Sequence, residues 1–251
     1  MTPPLVPVIA LATPGWGWRE IGKAALLILF GSIAVGLIIM GGALLLGTPT
    51  AAMTGMTSTP IFLLGMAIYL LVVLAVYLFT VRRGHGDWTQ LGMCKFSQWW
   101  WPVLPLLTVV QLLGMGLINT LLILPLVGDN FTNPQIAALT GQGALTPRDL
   151  ALLLVLVAVM APIAEELFFR GMLYPVLRQR LGVTLAIMTS ALIFALIHFI
   201  PILLPALFFV GVILAWVRER SGSLIPCIAL HAMQNGLVML GIYAMSINGM
   251  I

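Results

Sequence analysis

The chain has 251 residues, of which 61% are hydrophobic and only 7% charged, with a formal net charge of +4. A soluble globular domain carries about a quarter charged residues, so that class is excluded. Nearly all the Lys and Arg residues sit in short segments between long apolar blocks. That pattern follows the positive-inside bias of membrane proteins and argues against a nucleic-acid partner. Two cysteines, Cys94 and Cys227, offer neither a disulfide framework nor metal-ligand spacing.

The blocks are long enough to cross a bilayer as helices. The first runs from about Ala24 to Leu46, after Arg19 and Lys23. It is longer than the h-region of a secretory signal, so a retained span is expected rather than a cleaved leader. A second covers about Ile61 to Val81 and stops at Arg82-Arg83. A third covers about Trp101 to Val127, and a polar loop from Gly128 to Thr146 follows. Thr146-Pro147-Arg148-Asp149 opens the fourth helix: threonine caps it, proline suits the first helical position, and an acid favours the first turn. That helix is expected to run past Glu165 and Arg170 to about Arg180, with Pro162 a place where it could bend. Three further spans cover about Val183–Ile200, Leu203–Val217 and Leu224–Met245.

The expected fold is therefore all-α, a polytopic transmembrane bundle of about seven spans. Its N-terminal region, residues 1–145, holds three spans and a loop, and residues 146–251 hold four helices. With the N-terminus cytoplasmic, the inside segments hold Arg19, Lys23, Arg82, Arg83, Lys95, Arg178, Arg180, Arg218 and Arg220, and the outside segments only Arg148. All seven tryptophans fall near the same interface, which indole rings prefer. Both signals give an N-in, C-out topology, with the plasma (inner) membrane as the expected location.

Ionisable groups inside a span are costly and are functional candidates by default. Glu165 and Glu166 lie in the fourth helix, His198 ends the fifth, and His231 and Asn235 lie in the seventh. Glu166 and Arg170 are four apart and can pair along one face. Glu165 is turned about 100° away from Glu166. His231 and Asn235, also four apart, project together. At 1.5 Å per residue, Glu165, His198 and His231 lie roughly 20, 22 and 16 Å from the cytoplasmic edge, so they can meet at one level. A carboxylate among apolar helices suits a general base near neutral pH. A neighbouring histidine can share and orient a water, and a second histidine with an asparagine amide supplies donors for an oxyanion. These parts hydrolyse an amide without a nucleophilic serine or cysteine.

Glu165-Glu166…Arg170, Phe194…His198 and His231…Asn235, in that order on separate helices, resemble the motifs of the CPBP family of intramembrane proteases. This is the CAAX-prenyl endopeptidase and bacteriocin-processing group. The resemblance covers about the last 90 residues, and the first 145 add only compatible topology. It implies that Glu165 activates water with His198 as its partner, and that His231 and Asn235 form the oxyanion hole. Glu166, Arg170 and Phe194 would support the site. No cofactor is expected by this mechanism. Glu165, His198 and His231 also match a two-histidine, one-glutamate zinc set, which leaves a zinc-dependent protease as an alternative. His-Glu-x-x-His is absent, which excludes a zincin.

The implied substrate is a membrane protein or peptide reached within the lipid bilayer: a lipidated C-terminus, a transmembrane segment or a leader peptide. A non-catalytic membrane protein that binds a peptide, or confers immunity, is the alternative from another class. Outside the motifs, His85 is expected to be solvated in its loop. Gln111 and Asn119 of the third span either bond to neighbouring helices or line the substrate cavity.

Overall fold

The structure is a computed structural model that describes residues 13–48, 58–82, 86–128, 136 and 144–250. His85 and most of the 128–146 loop lie outside the described residues. Among those described there is no strand, and six helices are long and apolar enough to cross a membrane. These are α1 (Trp18–Leu45), α2 (Thr59–Val81), α4 (Trp100–Val127), α5 (Pro147–Leu196), α6 (Pro201–Ser221) and α7 (Ile225–Ile247). A short α3 (Trp88–Leu91) precedes α4.

The expected start of α5 is present in detail. Thr146 Oγ1 accepts from Asp149 N at 3.2 Å, and Asp149 Oδ2 accepts from Thr146 N at 2.9 Å, a reciprocal cap ahead of Pro147.

The fourth and fifth expected spans are the two arms of α5. Gly182, at φ 73° and ψ 177°, is non-helical and turns the chain between them. The Phe169 and Phe194 rings lie 5.2 Å apart across this bend. Along a straight helix they would be about 37 Å apart, so the arms fold back on each other as a hairpin. Counting the arms separately brings the number of apolar crossings to about seven.

Leucines and isoleucines of α1 and α4 face outward, Leu37 being 71% and Leu113 69% exposed. Such surface is incompatible with water and suits lipid. The core lies instead around α5, α6 and α7. Gly211 of α6 allows the second arm of α5 to come close, since a Cβ there would sit 3.0 Å from Ala191 Cα. At one end of the bundle, Arg178 binds Glu219 of α6 bidentately at 2.7 and 2.8 Å, and Tyr174 donates to the same carboxylate at 2.8 Å. Trp16 is buried there rather than exposed, and its indole N–H donates to Met172 O at 2.9 Å.

Candidate active site

Both carboxylates of the motif stand on the first arm of α5, between two wide turns. Residues Leu154–Met160 and Leu167–Leu173 are π-helical, and the N–H groups of Ala161 and Tyr174 bond five residues back, to Leu156 O and Phe169 O. A proline follows at once in each case, Pro162 and Pro175. Proline has no N–H, and its ring crowds the carbonyl four residues earlier; a wider turn relieves that clash.

In the five-residue register, the carbonyls left without a donor are Val157 O and Arg170 O. Both are met by side chains. Asn235 Nδ2 of α7 donates to Val157 O at 2.9 Å, and Arg218 Nε of α6 donates to Arg170 O at 3.2 Å. The prolines thus bind the arm that holds the glutamates to both C-terminal helices.

Glu166 lies at the centre of this junction. Its side chain and that of Arg170 are both 0% exposed, with Arg170 Nη1 donating to Glu166 Oε1 at 2.8 Å. His231 Nδ1 lies 2.9 Å from the same oxygen. Arg170 also donates from Nη2 to Gly211 O at 3.1 Å and lies 4.6 Å from the centre of the Phe194 ring. One buried ion pair therefore joins both arms of α5 with α6 and α7. A carboxylate accepts only, so His231 Nδ1 carries the proton in that contact.

Glu165, turned away from the pair, is less buried, with 19% of its side chain exposed. Its Oε2 stands 3.9 Å from His231 Nε2. His198 and Tyr69 of α2 also lie within electrostatic range of its carboxylate. His198 Nδ1 is 2.7 Å from Phe194 O, and a carbonyl only accepts, so this nitrogen is an N–H. In the neutral ring, Nε2 then holds a lone pair. Phe194 stacks edge-on against both histidines, at 4.9 Å from His198 and 6.0 Å from His231.

The sequence motifs therefore converge: Glu165, Glu166, Arg170, Phe194, His198 and His231 share one neighbourhood. Asn235 sits one turn further along α7, and one of its amide protons is committed to Val157 O. Helical spacing could not reveal that second duty, because it follows from a proline on another helix. Tyr69 was missed as well; in sequence it is one of two phenols in a mostly apolar span, the other being Tyr77, and nothing local distinguishes them. Among the described residues, no group of three His, Cys, Asp or Glu is positioned to hold a metal ion.

Polar residues continue beyond the motifs towards α4. Gln111 is 0% exposed, and neither its Nε2 nor its Oε1 has a hydrogen-bonding partner among the described residues. Leaving a buried amide unpaired costs about 1–3 kcal/mol per group. Gln234 of α7 is 5% exposed; its Nε2 donates to Met115 Sδ at 3.3 Å, and its Oε1 has no partner among the described residues.

A multi-pass helix bundle with carboxylates and histidines gathered in its interior defines an integral membrane protein with an enzyme-like site. Residues 147–237 match the family model described as Type II CAAX prenyl endopeptidase Rce1-like. The matched residues include both glutamates, both histidines and Asn235, and the family implies an intramembrane protease of CAAX type. No curated protein and no solved structure matches the chain.

Proposed function

We propose that this protein is a glutamate-dependent intramembrane endopeptidase acting on a membrane-associated or lipidated protein or peptide. The observation that carries the proposal is the division between the two adjacent carboxylates. Glu166 is consumed by Arg170 and His231, whereas Glu165 faces His231 and His198 and keeps some exposure. A base must be reachable by water, and of the two carboxylates Glu165 is the one that keeps exposed surface.

In this reading Glu165 takes one proton from a water whose second hydrogen stays on the oxygen and hydrogen-bonds to His198 Nε2. The water oxygen bonds to the scissile carbonyl carbon, and the carbonyl oxygen becomes an oxyanion. His231, doubly protonated, donates Nδ1–H to Glu166 and Nε2–H to that oxyanion, assisted by the remaining amide proton of Asn235. Glu165 returns its proton to the leaving nitrogen, the C–N bond breaks, and a carboxylic acid and an amine result. No step requires a metal.

Residues 146–251 form the catalytic core, and residues 1–145 supply supporting spans, among them α2 with Tyr69. The distribution of Arg and Lys supports a cytoplasmic N-terminus, and the plasma (inner) membrane is the proposed location.

The test is to incubate the purified protein with a library of membrane and lipidated peptides, with and without chelator, and to read products by mass spectrometry. Cleavage indifferent to chelator supports the glutamate mechanism. Cleavage lost with chelator and restored by zinc would assign Glu165, His198 and His231 as ligands instead. A well-folded protein that binds peptides but cleaves none would favour the non-catalytic alternative.

A further inference from the structure

The two glutamines described above are not used by the proposed chemistry. Gln111 and Met115 are four apart on α4 and share a face. Met115 touches Gln234 of α7, and Gln234 stands three residues after His231, on the neighbouring strip of that helix. Leu104, Leu107, Leu230 and Met233 pack together along this seam. Thr108, also in the seam, spends its hydroxyl on Leu104 O at 3.0 Å and offers nothing to Gln111.

Among the described residues several other buried atoms also lack partners: Ser190 Oγ, on the second arm of α5, is likewise unpaired, while Glu166 Oε2, Arg170 Nε and Arg218 Nη1 belong to side chains held by other bonds. Gln111 has none. The bond that Gln234 makes to sulfur is weak and exchanges easily for a better one.

A peptide cleaved inside a membrane must be locally unwound, and its freed N–H and C=O groups have no water to bond. A carboxamide offers the matching acceptor and donors. We infer that Gln111 and Gln234 form a backbone-binding subsite on the α4–α7 seam, which holds the extended substrate chain beside the scissile bond. This rests on the protease reading. It names a substrate feature, unpaired peptide groups flanking the cleavage point, rather than a side-chain preference. On entry, the peptide replaces Met115 as the partner of Gln234.

The experiment uses the full chain in detergent, in the Glu165→Gln background so that bound peptide persists. Two fluorescent probes are titrated: a farnesylated peptide ending in a CAAX sequence, and an apolar transmembrane peptide of about twenty residues. Each is also made with single amide-to-ester replacements along the chain, which delete one N–H at a time. Gln111→Leu and Gln234→Leu are each expected to weaken binding of the amide probe about tenfold without lowering the thermal midpoint. The protein with both glutamines should discriminate against an ester at one position, and a Leu variant should lose that discrimination, which a purely structural glutamine would not do.

Unchanged affinity in both Leu variants, equal ester discrimination throughout, or no binding of either probe overturns the subsite. So does affinity lost only in step with thermal stability. Failure of the wild type to cleave a peptide that binds in this way would defeat the protease reading while leaving the subsite standing.

Discussion

His231 Nδ1 lies 2.9 Å from Glu166 Oε1, the same oxygen that receives Arg170 Nη1 at 2.8 Å. The contact crosses from α7 to α5 and gives Glu166 two duties: it neutralises a buried guanidinium and fixes the proton of the histidine beside Glu165. Glu166→Gln removes the charge that Arg170 needs, and breaking a buried pair in this way costs about 3–5 kcal/mol. A large drop in the thermal midpoint in detergent is expected, together with loss of turnover. Glu165→Gln, which leaves that pair intact, should keep its midpoint close to that of the wild type.

Asn235 is both a candidate oxyanion donor and the cap of Val157 O. Asn235→Ala should cost about 1–3 kcal/mol by stranding that carbonyl, and about 10²–10³ in kcat by removing an oxyanion donor. Pro162→Ala separates the two effects, because the restored N–H can satisfy the carbonyl. In that background Asn235→Ala should lose less stability while its kcat deficit persists. Thermal unfolding and steady-state kinetics on the four proteins of this cycle provide the check.

Gly182 turns α5 back on itself at φ 73°, and beyond its immediate chain neighbours nothing crowds the place where its Cβ would be. The penalty of Gly182→Ala is therefore conformational rather than steric, about 1–3 kcal/mol. A lowered unfolding midpoint with kcat retained in the folded fraction is the expected outcome, measured below the transition temperature.

Much of this was legible in the sequence. Apolar block length gave the spans, spacing gave the Glu166–Arg170 pair, and the ordered motifs gave the residues that gather around Glu165. Other features were not. The hairpin at Gly182 reads in sequence only as a polar break after Arg180, and nothing local states the angle between the arms. The wide turns before Pro162 and Pro175 shift the helical register, so faces counted at 100° per residue drift along α5, and the second duty of Asn235 stayed hidden. Which carboxylate His231 would reach was also open, since Glu165 and Glu166 are adjacent and only the packing of α7 decides between them. Gln111 could be flagged as polar within a span, but its lack of a partner is a property of the packed seam.

Arg218 ties the end of α6 to its neighbours, donating to Arg170 O at 3.2 Å and to Leu91 O at 3.4 Å. Arg218→Met keeps the length of the side chain but strands both carbonyls, at about 1–3 kcal/mol each. A reduced midpoint is expected, with faster proteolysis of the segment around α3 in limited-digestion time courses.

Glu165 as the water-activating base is tested by single-turnover cleavage with wild type and Glu165→Gln. The substrate is a peptide that the wild type cleaves, and the two unfolding midpoints are checked for agreement. A rate reduced by at least about 10²-fold in Glu165→Gln, with peptide affinity unchanged, is the predicted result. Equal rates in the two well-folded proteins would contradict it and require another residue to activate the water.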